Sequence, residues 1–128
     1  MSVEIDVYVA TSGPYQLAFA ADQIESTGPC PAFASDEVER PGVLGIRAGM
    51  RVVHPGWFWG EIAMQQPPRH LLVVRSGMYA LAVDTCQLLR LLIEPPPPVL
   101  AGSGMVFGLA TTTGGPLPVF DLACVPLS

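Results

Sequence analysis

His54, His70, Cys30, Cys86 and Cys124 are the side chains best suited to nucleophilic, redox or metal chemistry, and their spacing selects none of it. A zinc site needs ligands in short-spaced pairs, and no two of these five residues stand close enough to form one. Gly102-Ser103-Gly104, followed by Gly108, has the wrong spacing for a dinucleotide loop, and no helical pattern follows it. Ser103 also lacks the flanking glycines of a nucleophile elbow, with Ala101 and Met105 in their places. A serine–histidine–aspartate triad would have to be assembled across the fold, and nothing in the sequence picks one out. Asp84 and Asp121 close apolar runs, where a carboxylate caps turn amides. Cys86 and Cys124 lie among apolar residues and read as small hydrophobes. The expectation is a chain with no catalytic residue, no metal ligand and no cofactor. The run Trp57-Phe58-Trp59 is different, because consecutive bulky residues on extended backbone cannot all face one core. It serves either as a plug at an internal junction or as an aromatic anchor for a protein partner.

These residues belong to a chain that reads as mostly β. Residues 5–10, 15–21, 70–75 and 78–84 alternate between apolar and polar, and each run is closed by Gly, Pro, Ser or Asp. Ser12-Gly13-Pro14 and Ser76-Gly77 separate pairs of such runs and predict two hairpins. The run Leu88-Leu89-Arg90-Leu91-Leu92-Ile93 has helical character, but the four prolines that follow limit its length. Short helical turns are expected after Pro55 and after Asp121. With 128 residues the chain is one domain, and 27 glycines and prolines (13 and 14) point to many turns.

Charge narrows the function classes. Eleven acids face six arginines, there is no lysine, and the net charge is −5, a surface that repels a phosphate backbone, so no nucleic-acid partner is expected. Residues 95–120 carry no charge but contain six prolines and five glycines, too many for a lipid-exposed helix, so no membrane insertion is expected. Dispersed cysteines in odd number, and acids near the N-terminus where a secretory signal carries basic residues, imply a reduced, cytoplasmic protein.

An internal repeat organises the chain. Ser12-Gly13-Pro14-Tyr15-Gln16-Leu17-Ala18-Phe19 resembles Ser76-Gly77-Met78-Tyr79-Ala80-Leu81-Ala82-Val83 at an offset of 64. Gly42-Val43-Leu44 resembles Gly108-Leu109-Ala110 at 66, and Pro55 matches Pro118 at 63. One strand-rich unit therefore occurs twice, and each copy is too small to bury a core alone. The predicted architecture is all-β: two packed five-stranded β-barrel subdomains, about 3–60 and 68–125, within one domain of 1–128, with the termini free to exchange strands.

The motifs and their order resemble the CheW-like domain of bacterial chemotaxis. In its second half that family has a strand pair ending in V-D, a Pro-rich loop, then R-G-I-A-x-L-D-G-x-x-V-P-x-x-D-L. Here stand Tyr79-Ala80-Leu81-Ala82-Val83-Asp84, Glu94-Pro95-Pro96-Pro97-Pro98, Gly108-Leu109-Ala110 and 114–122. The first half offers Asp22-Gln23-Ile24 and Gly42-Val43-Leu44-Gly45-Ile46-Arg47, the latter where the family has G-V-I-N-L-R. Gly45 replaces the family's Asn, its next Gly is delayed to Gly49, and Phe58-Trp59 replaces its first D-L pair. The resemblance implies a non-enzymatic adaptor joining a methyl-accepting chemoreceptor-type protein to a CheA-type histidine kinase. It implies partner-binding surfaces around Ile24, Gly42, Val43, Leu44, Ile46 and Arg47, to which Trp57 and Trp59 are added as aromatic anchors. The alternative is a small-molecule-binding or catalytic β-barrel whose likeness to this family is coincidental.

Overall fold

The computed structural model describes residues 3–13, 15–33, 43–55, 68–75, 79–98 and 106–122. They form ten strands: β1 (Val3–Ser12), β2 (Tyr15–Ala20), β3 (Ile24–Pro29), β4 (Val43–Arg47), β5 (Met50–Val53), β6 (His70–Val74), β7 (Tyr79–Val83), β8 (Thr85–Glu94), β9 (Val106–Thr112) and β10 (Gly115–Phe120). A 3-10 turn, Ala21–Gln23, joins β2 to β3. Leu88 to Ile93, expected to have helical character, lies within β8, which pairs with β1 through nine residues of register. Its leucines do not alternate with polar residues because Leu88 and Leu92 stay exposed on the outer face, while Leu89 and Leu91 pack inward.

The repeat is visible in the topology. One closed barrel has the order β1-β2-β10-β9-β8, and a second five-stranded sheet has the order β3-β6-β7-β5-β4. If β1 to β5 are matched to β6 to β10, both sheets follow one plan. In each, an antiparallel hairpin of one half inserts between three strands of the other half. The second strand of each hairpin makes the parallel contact, β2 with β10 and β7 with β5. The sheets therefore do not coincide with the segments 3–60 and 68–125, because the two halves exchange hairpins. Only one sheet closes as a barrel: among the described residues, β3 and β4 are the unpaired edges of the other.

Burial follows from this exchange. On β2, Leu17 and Phe19 face the seam between the sheets, while Ala18 points into the barrel. On β7, at the repeat offset, Leu81 and Val83 face the same seam while Ala82 points to the inner side of the second sheet. All five residues of β7 are buried, as expected for a strand covered on both faces. Burying each large side chain of this seam contributes about 1.5–3 kcal/mol. Tyr79 places its hydroxyl there, donating to the Leu122 carbonyl at 3.3 Å. Burial, aided by the nearby Asp121 carboxylate, pushes that phenol up to about 12.

Candidate docking surface

The residues singled out from the sequence separate by exposure. Ile24, Val43 and Leu44 are buried, at 4%, 1% and 7% exposure. A register shift between Val43 and Gly45 turns both Val43 and Leu44 inward, as a β-bulge does. Their side chains belong to the buried core. Ile46 is 46% exposed and Arg47 is half-buried, both at the end of the edge strand β4. Gly42, Trp57 and Trp59 lie outside the described residues.

Arg47 bridges β4 to the segment that follows β3. Its guanidinium donates to the Ala32 carbonyl at 2.9 Å and to the Ile46 carbonyl at 2.8 Å. It also sits 4.3 Å from the centre of the Phe33 ring, a cation–π contact. Phe33 and Cys30 in turn pack on Leu44, Val52 and Ala82, the inner core of the second sheet. A side-chain clasp thus spans the β3–β4 side, where the barrel uses backbone pairing. Ala48 and Gly49 form the two-residue turn into β5, both with positive φ (52° and 79°), the pattern of a tight hairpin turn.

Two clefts flank the strands. One, of about 450 Å³, lies where the chain crosses from barrel to sheet and is lined by Ile5, Asp6, Ala20, Ala21, Asp22, Gln23, Phe107 and Asp121. Gln23 braces it: its amide donates to Asp121 Oδ1 at 2.7 Å, and its Oε1 accepts the Leu122 N–H at 3.0 Å. Phe107 stands 48% exposed at its rim. The other, of about 700 Å³, opens in the barrel wall and is lined by Val9, Gln16, Gln87, Leu89, Leu91 and residues 111–114. It exists because β8 and β9 pair only through Ile93 with Ala110 and Glu94 with Leu109, and diverge beyond. Neither Gln23 nor Phe107 was singled out from the sequence as a surface residue. Gln23 lies in the quoted Asp22-Gln23-Ile24 stretch, whereas Phe107 carries no local signal.

Groups with reactive potential are occupied structurally. Ser12 Oγ lies 3.3 Å from His54 Nε2, and Asp84 is close enough to act on the ring, so the residue types of a triad do converge. Ser12 is only 2% exposed, and Asp84 Oδ2 accepts the Gly13 N–H at 2.8 Å, as a turn cap does. Burial pushes the thiols of Cys30 and Cys86 above their ordinary value, which suppresses the thiolate; for Cys30, Arg47 partly opposes this. Neither cysteine is bridged, and Cys124 lies outside the described residues. Cys86 is half-buried against the seam, less enclosed than its sequence context suggests. Among the described residues, no group of three His, Cys, Asp or Glu side chains could hold a metal ion, and no helix is long and apolar enough to cross a membrane.

No family model matches the sequence, and no curated protein matches it. Among solved structures, the crystal structure of the scaffolding protein TtCheW from Thermoanaerobacter tengcongensis matches with a TM-score of 0.71. The match covers 94% of this chain and 86% of that one, at 19% sequence identity. The fold is CheW-like. At this identity the likeness speaks for the arrangement of strands, and it agrees with the paired, hairpin-exchanged sheets described above.

Proposed function

We propose that this chain is a non-enzymatic cytoplasmic scaffold that couples a chemoreceptor-type protein to a CheA-type histidine kinase. The single observation that carries the reading is the pair of sheets with one strand plan over nearly the whole chain, shared in fold with a protein described as a scaffold. Two rigid sheets joined by a buried seam offer two separate outer surfaces, which suits an adaptor better than a one-site enzyme. The β4 edge, with exposed Ile46 and clasped Arg47, is one candidate surface, and the crossover cleft with Phe107 at its rim is the other. Val43 and Leu44 support the first from the core, and Ile24 belongs to the buried seam. Gly42, Trp57 and Trp59, outside the described residues, are included in the proposed partner-binding set from the sequence alone. Affinity capture with the full-length chain tests the reading: a histidine kinase and a receptor should be recovered together.

The cleft in the barrel wall favours a second reading, a ligand-binding barrel. Its lining of leucines, glutamines and threonines carries no charge, so it would take a neutral ligand. Recovery of small molecules without either protein would select that reading over the first.

A further inference from the structure

Ser12, His54 and Asp84 are far apart in sequence, yet they converge where the β1–β2 hairpin meets the second sheet. Ser12 ends β1, His54 follows β5, and Asp84 sits between β7 and β8. Besides the Ser12–His54 and Gly13–Asp84 contacts, the Asp84 N–H donates to the Thr11 carbonyl at 2.8 Å. The Thr11 and Thr85 hydroxyls lie 2.6 Å apart alongside. The Ser12 contact ties the end of the hairpin to the residue that follows β5, and the two Asp84 contacts tie it to the turn between β7 and β8, while Thr11 and Thr85 are register partners within the barrel. We propose that this cluster is a pH-sensitive lock: neutral His54 holds the β1–β2 hairpin against the second sheet, and protonation of the ring loosens that hold.

The chemistry follows from the burial of Ser12. A buried hydroxyl must keep its hydrogen bonds, and the proposed lock includes the tautomer of neutral His54 in which Nε2 is unprotonated and accepts the Ser12 proton. An imidazolium carries N–H groups on both nitrogens, so the Ser12 hydroxyl would have to turn round and leave its own proton without that acceptor. Burial also penalises the charged ring and holds the His54 pKa below the ordinary value, with the Asp84 carboxylate opposing the shift. Of the side chains that meet here, Asp84 carries the charge acting on the ring, while Thr11, Ser12 and Thr85 are neutral. The sign is then fixed. The open state takes up the proton first, so the lock is whole above the ordinary histidine pKa of about 6.5. It weakens as pH falls below that value and levels off once the folded ring is itself protonated.

Proton NMR of the full-length chain tests this, with a short unstructured histidine peptide as the reference. The His54 ring should titrate at lower pH than that peptide. Hydrogen exchange at the Gly13 and Asp84 amides, corrected for intrinsic rates, should report more frequent opening between about pH 7.5 and pH 5. The opening equilibrium should rise about tenfold for each pH unit by which His54 lies below an unfolded histidine. His54→Gln keeps an amide for Ser12 and removes the titration, so the pH-dependent part should vanish. If the variant does not fold, the wild-type ring titration decides alone. A His54 ring that titrates together with the reference peptide, opening that does not change with pH, or an unaltered pH profile in His54→Gln would each overturn the proposal.

Discussion

The barrel and the second sheet share a strand order and differ in how they close. In the barrel, β8 and β9 come together through backbone pairing, and Gly108 makes the approach possible: a Cβ there would lie 2.6 Å from the Glu94 carbonyl oxygen and 2.6 Å from Ile93 Cγ2. In the second sheet, the corresponding strands β3 and β4 do not pair among the described residues, and the Arg47 clasp to Ala32 and Phe33 spans them. A backbone ladder is unforgiving of added atoms. A side-chain clasp leaves a backbone edge exposed and gives way more readily. One repeat unit has thus produced one sheet that closes by backbone pairing and one that, among the described residues, keeps unpaired edges, and the β4 edge is where we propose one docking surface.

Substitutions can break or sharpen this contrast. Gly108→Ala should do the most damage, because the new methyl meets backbone as well as a side chain; a loss of about 2–3 kcal/mol is expected in denaturant unfolding. Barely changed stability would mean that β8 and β9 are not pressed together. Arg47→Met keeps an unbranched stem and removes the guanidinium that lies over Phe33 and bonds the Ala32 and Ile46 carbonyls, so the expected cost is about 1 kcal/mol after allowance for solvent around a half-exposed group. Its signature is local: hydrogen exchange should quicken at Cys30, whose N–H donates to the Arg69 carbonyl, and stay unchanged at the barrel strands. Smallest is Ala48→Gly, which relieves a positive φ of 52° and should stabilise the β4–β5 turn by about 0.5 kcal/mol, readable as a small rise in melting temperature.

The strands and their duplication were legible in the sequence, whereas the contrast in closure was not. The alternation in residues 5–10 and 70–75 marked strands correctly because each has one more buried and one wetter face. Residues 15–21 also mark a strand, although Leu17 to Ala20 are buried on both faces. The offset of 64 was reliable enough to match Leu17 and Phe19 with Leu81 and Val83 across the seam. That offset is the same whichever half a hairpin packs against, so the exchange could not be read from it. Nor could the site residues be sorted by type, since Ile24, Val43 and Leu44 suit a core as well as an interface. Only burial separates them from Ile46. Ser12, His54 and Asp84 had no spacing to betray them, because three different connections bring them together.

The central claim is that one chain binds two proteins through two surfaces at once. Sedimentation velocity of the full-length chain mixed with a CheA-type regulatory domain and a receptor signalling fragment tests it most directly. The account predicts one fast boundary containing all three species, with Ile46→Asp releasing one of the two partners while the other stays bound. A folded wild-type chain that binds neither partner, or binds them only in competition, would contradict it.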